Sequence, residues 1–117
     1  MTLKECYDAL GGNFDDVMGR MYDEDFVKMF VIKFPDDNNY KELCRAMSEG
    51  DHPSALRAAH TLKGICLNMA FSKLAKSSSA LTESLRKEIT GESYALMEQV
   101  EIDYKETVAP ILQLKNG

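Results

Sequence analysis

Arg57, His60, Lys63, Gly64 and Leu67 recur at intervals of three and four residues. Side chains so spaced on an α-helix are neighbours, with Cβ atoms about 5–6 Å apart. They share one face, and it points away from the apolar positions Ala59, Leu62 and Cys66 of the same stretch. His60 is therefore expected to stand in solvent. A neutral imidazole carries a free nitrogen lone pair and can attack an acyl phosphate without a general base. A phosphoryl group arriving there brings a charge of roughly −1.5 to −2, and Lys63, one turn along, is placed to pair with it. Gly64 is unusual in a helix interior, where it costs about 0.5–1 kcal/mol relative to alanine. Its position beside the imidazole leaves room for a partner to approach the ring.

Each of these residues has a plainer reading. A lone histidine on a helix is most often an ordinary surface or core residue, a lone lysine a solvated one, and a lone glycine a packing choice. Their coincidence on one face favours the chemical reading. From Ser54 to Thr82 there is no Asp or Glu, while Arg57, Lys63, Lys73 and Lys76 occur in a chain of net charge −5. This local basic zone suits an acidic partner pocket and would speed encounter with it. Leu56 and Leu67 flank His60 and offer apolar contact; with Arg57 and Lys73 they are the expected docking residues.

Helices must position this face, and helical periodicity runs through the whole chain, with no convincing strand alternation. Thr2 and Glu5 have capping-box spacing ahead of Leu3, Cys6, Tyr7 and Leu10, and Gly11-Gly12 stops that helix. Asn13 can cap a short turn with Phe14, Val17, Met18 and Met21 on its apolar side. From Asp23, Phe26, Val27, Phe30, Val31 and Phe34 form the expected inward stripe, ended by Pro35. Asp36 or Asp37 can cap a helix carrying Tyr40, Leu43, Cys44 and Met47, which Gly50 closes.

Asp51 and Pro53 suit the start of a long helix to about Ala70, with a seam of Ala55, Ala59, Leu62, Cys66 and Met69. After a tight turn at Ala70–Ser72, Leu74, Ser78, Leu81 and Leu85 keep the same rhythm. ITGES reads as a loop. A last helix from about Ser93 has Met97, Val100, Tyr104, Val108 and Ile111 inward, and Pro110 is expected to bend or end it. The expected fold is all-α: an up-down four-helix bundle with one or two short N-terminal helices packed on it. The 117 residues suit a single domain, 1–117, with its core motif at about 51–88.

The segment AHTLKGICLNMAFSKL resembles the signature of histidine phosphotransfer domains: a small residue, the phosphorylated His, Leu-Lys-Gly, a short gap, Asn, an apolar residue, Gly and a later Leu. Ala59, His60, Leu62, Lys63, Gly64, Asn68, Met69 and Leu74 fall on that pattern, and Ala70 stands where it has glycine. The approach, FPDDNNYKELCRAMSEGDHPSALRAAH, also resembles the family, and the similarity runs from about Asp23 to Arg86. It implies a four-helix bundle, phosphorylation of an exposed His60, by family habit at Nε2, and exchange with the aspartate of response-regulator receiver domains. The implied partners are such a receiver and/or a hybrid histidine kinase. The implied Mg²⁺ belongs to the receiver, so no cofactor is expected in this chain.

Other classes fit less well. The net charge of −5 argues against nucleic acid as a partner. No apolar run approaches the roughly 20 residues of a membrane helix, and the N-terminus lacks a signal-peptide layout. Cys6, Cys44 and Cys66 are an odd, scattered set, which reads as reduced thiols of a cytoplasmic protein. His52, His60 and Cys66 do not converge as metal ligands. There is no Gly-rich phosphate cradle, so the chain is expected to be a phosphocarrier and not a self-sufficient kinase. A monomer is the default for a bundle whose seams are all used internally. Two alternatives remain in view: the phosphorylated domain of a chemotaxis-type histidine kinase, and a binding-only bundle that docks a receiver or kinase without carrying phosphate.

Overall fold

A computed structural model describes residues 1–117, and every regular element in it is helical. The elements are α1 (Leu3–Leu10), α2 (Phe14–Met21), α3 (Glu24–Lys33), a 3₁₀ turn (Phe34–Asp36), α4 (Asn39–Glu49), α5 (His52–Asn68), α6 (Ser72–Ser84) and α7 (Gly91–Asn116). Local chemistry accounts for most of their ends. Thr2 and Glu5 form a complete capping box on α1, and Gly11 ends that helix in the left-handed conformation at φ 76°. Asn13 and Asp23 accept backbone N–H groups at the starts of α2 and α3. Asp51 does so for α5, with Pro53 in the first turn, and Gly50 closes α4 at φ 67°.

Successive long helices are neighbours: α4 lies against α5, α5 against α6, and α6 against α7, while α1 packs on α7. Stacked rings of Tyr40 and Tyr104, 3.6 Å apart, and a hydrogen bond from Tyr94 to the Met47 carbonyl join α7 to α4. The α5 seam of Ala55, Ala59, Leu62, Cys66 and Met69 is buried, as are Leu74, Ser78, Leu81 and Leu85 behind it. Ser78 is satisfied there because its hydroxyl donates to the Leu74 carbonyl at 2.7 Å.

Four expectations need correction. In α3, Phe26 and Phe30 lie outside, 47% and 41% exposed, and stack edge-on against each other; only Val27 and Val31, with Phe34 beyond them, are buried. That helix is apolar nearly all round, so spacing alone did not single out a face. The ITGES stretch is only partly a loop, because Thr90 caps α7 and the helix begins at Gly91. Pro110 does not end α7, which runs on to Asn116 with the proline ring buried. The inward stripe of α7 includes Asp103 and Thr107, while Tyr104 and Val108 are only half-buried.

The turn between α5 and α6 carries a non-glycine residue, Ala70, at φ 55°. The left-handed conformation costs an alanine roughly 1–2 kcal/mol, but its methyl is buried, 4% exposed, and a buried carbon of this kind contributes about 0.8 kcal/mol. Glycine would relieve the strain, lose the methyl and add unfolded-state entropy of about 0.4–1 kcal/mol. These terms nearly cancel. Ala70→Gly is therefore expected to change unfolding free energy by less than about 1 kcal/mol, whereas Ala70→Val, β-branched at positive φ in a filled site, is expected to lose about 2 kcal/mol or more in urea denaturation.

Candidate functional site: the exposed face of α5

The Asp51 carboxylate accepts from the Ser54 N–H at 3.3 Å and from Arg45 at 3.0 Å, and Arg45 also grips Glu42 and Glu49. The guanidinium holds the carboxyls of Asp51 and Glu42 below the usual carboxylate range. Next to this start, His52 directs Nε2 at the Leu85 carbonyl, 2.6 Å away. A carbonyl only accepts, so Nε2 carries the hydrogen, and the ring ties α5 to the end of α6.

N-terminal residues bond the carbonyls at and just beyond the far end of α5, where intrahelical donors run out. Arg20 donates to Leu67 and Asn68 at 2.9 and 2.8 Å, the Tyr7 hydroxyl to Met69 at 2.7 Å, and the Asn13 N–H to Ala70 at 2.8 Å. The Lys73 N–H donates to the Gly11 carbonyl at 3.1 Å, so the α1–α2 and α5–α6 turns are cross-bonded. Gly12 is required there, since a Cβ would lie 2.8 Å from the Ala70 oxygen.

Between these anchored ends, the side of α5 away from the core is open. Arg57, His60 and Gly64 are exposed, Lys63 and Leu56 are half-buried, and Leu67 is 51% exposed. No group of the chain hydrogen-bonds the His60 ring, in contrast to His52. A Cβ built on Gly64 meets nothing within 4 Å, so this glycine is not a packing residue. A shallow recess of about 300 Å³ beside the imidazole is lined by Pro53, Leu56, Arg57, His60 and Arg86. An exposed, unengaged imidazole in a cationic recess on a rigid helix is chemically a nucleophile with a place for an anion beside it.

Residues 25–110 match the profile of the Hpt domain. The chain belongs to the Hpt domain family. No curated protein and no solved structure is matched by the chain. Hpt domains are phosphocarrier modules rather than kinases, and they serve histidine phosphotransfer in phosphorelays. No helix of this Hpt domain is long and apolar enough to cross a membrane.

The structure brings Leu56, Arg57, His60, Lys63, Gly64 and Leu67 together along α5, but not Lys73. That lysine sits on α6 with Nζ 2.6 Å from Glu106 of α7, in a groove that includes no α5 residue. Two residues escaped the sequence reading. Arg86, in the turn after α6, lines the recess beside His60, and Glu83 holds it at 2.6 Å. The only sequence signal was an Arg three residues after a Glu, which by itself reads as a solvated surface pair.

The thiols stand apart from this site. Burial pushes Cys6 up to about 11 and raises Cys66 and Cys44 as well. A thiolate is the reactive form, so none of the three is expected to alkylate quickly with N-ethylmaleimide at pH 7.5 in the folded protein. All three should react within minutes once it is unfolded in urea, as followed by intact mass.

Proposed function

We propose that this Hpt domain is a phosphorelay intermediate in which His60 accepts a phosphoryl group from the aspartate of a response-regulator receiver domain and returns it to another. The observation that supports the reading best is the unengaged His60 ring, exposed in a recess that also holds Arg57 and Arg86. In the accepting step the imidazole lone pair attacks phosphorus, the P–N bond forms, and the P–O bond to the aspartate carboxylate breaks. The imidazole ring nitrogen keeps the phosphoryl group and the carboxylate leaves as an anion. Lys63 pairs with the phosphoryl oxygens, and the bare backbone at Gly64 lets the receiver's active-site edge reach the ring. Leu56, Arg57 and Leu67 border the ring as docking contacts. The Mg²⁺ of such transfers belongs to the receiver, where it neutralises the developing charge.

In this reading residues 1–117 work as one domain, α4 to α7 form the up-down four-helix core, and α1 to α3 brace it. The domain acts as a cytoplasmic monomer, fed by a receiver or a hybrid histidine kinase. Incubation with a complete panel of phosphorylated receiver domains, followed by intact mass, tests the reading. Gain of one acid-labile phosphoryl group from at least one receiver is expected. If some receivers bind and none transfers, the domain is a docking adaptor and the carrier role is wrong.

A further inference from the structure

We infer that Glu83 acts as a latch that holds Arg86 while His60 is bare and yields it to the phosphoryl group once His60 is modified. The swap presupposes that His60 carries phosphate, as proposed above. Glu83 and Arg86 flank the α5 face from α6 and the turn that follows it. Arg86 lines the recess next to His60, and its Nε donates to Glu83 Oε2 at 2.6 Å. Both side chains are largely exposed, 53% for Arg86 and 63% for Glu83. Ion pairs this wet are weak, because water and salt compete for both partners. A phosphoryl group offers up to twice the charge of a carboxylate and three acceptor oxygens, so it wins the competition for a guanidinium already within the same recess.

The hydrogen bond from Arg86, with a smaller contribution from the charge of Lys63, holds the Glu83 carboxyl below its usual range. Of the other charged groups, Arg57 also lines the recess and makes no ion pair. Arg86 is therefore the cation of the recess that has a partner to exchange. The latch neutralises the Arg86 charge while the site is bare and releases it when the negative charge arrives. Glu83 is a positioning residue, since it acts only through Arg86.

The latch can be read from the second ionisation of the phosphoryl group on His60. The full chain is phosphorylated with phosphoramidate: the imidazole nitrogen attacks phosphorus, the P–N bond to ammonia breaks, and ammonia departs with the proton. The ³¹P shift is then titrated. A nearby cation favours the dianion and lowers proton affinity. Arg86→Ala is expected to raise that affinity about threefold, and Glu83→Gln to lower it about twofold by freeing Arg86 fully. In the double variant the Glu83→Gln effect should vanish and the titration should follow Arg86→Ala alone. Circular dichroism should be unchanged in all three variants, so a folding defect cannot mimic the pattern. If Glu83→Gln lowers the affinity equally with and without Arg86, Glu83 acts directly and the latch is wrong. It is also wrong if Arg86→Ala leaves the titration unmoved. Should the unaltered protein take no phosphoryl group at His60, the carrier reading itself falls and the latch falls with it.

Discussion

Replacing His60 with glutamine is expected to remove all transferable phosphate from this protein while leaving its fold intact. The imidazole is exposed, makes no hydrogen bond within the chain, and projects from the side of α5 opposite its buried seam. A surface substitution of this kind changes stability by no more than about 0.5 kcal/mol. Glutamine keeps comparable length and polarity but has no nitrogen lone pair able to form the P–N bond, so the lost function is chemical. The second histidine supplies the contrast. His52→Ala breaks the 2.6 Å bond to the Leu85 carbonyl at a half-buried site, which should cost about 1–2 kcal/mol and leave phosphoryl uptake in place. Intact mass after exposure to a phosphorylated receiver, alongside urea unfolding of each variant, separates the two. Uptake that survives His60→Gln would move the acceptor elsewhere in the chain.

Filling the space at Gly64 is expected to produce the second large effect, and stability and transfer should move in opposite directions. Beyond the backbone of its own helix, nothing lies within 4 Å of a Cβ at this position, and the residue sits inside a helix. Gly64→Ala should therefore stabilise the protein by about 0.5–1 kcal/mol through backbone entropy alone. Gly64→Leu should fold equally well and set a branched side chain where a receiver must bring its aspartyl phosphate to the ring. Displacing reacting groups by about 1 Å can cost on the order of a hundredfold in rate, and a loss of that size is expected in transfer from a phosphorylated receiver. Phosphorylation by phosphoramidate, a donor small enough to pass the new side chain, should stay within about twofold. Undiminished transfer from the receiver in Gly64→Leu would show that Gly64 has no part in access.

The helix carrying this chemistry was legible because its determinants are local. Asp51 and Pro53 marked its start, and the spacing of Ala55, Ala59, Leu62 and Cys66 marked its buried side. His60, Lys63 and Gly64 then had to face outward together. The exposed phenylalanines of α3 were illegible for the opposite reason: apolar residues on nearly every side of a short helix define no direction. Pro110 does not end its helix because loss of one backbone donor can be tolerated where the proline side of the helix is buried against the bundle. Lys73 was assigned by charge, but its ammonium is committed to Glu106, a partner 33 residues away that composition does not reveal.

Sequence by itself determined the helical class, the seam of α5 and the outward face with His60, Lys63 and Gly64, since these depend on residues three or four positions apart. Tertiary structure decided what surrounds that face. It brought Arg86 beside His60 from the turn after α6, and it set Arg20, Tyr7 and Asn13 on the carbonyls at and just beyond the end of α5 across separations of up to 62 residues. It also allowed Ala70 the left-handed conformation that glycine would take more easily, because burial of its methyl and the lower unfolded-state entropy of alanine together offset the strain. Local spacing sets which way a side chain leaves its own helix; only the packing of distant segments sets what it meets there.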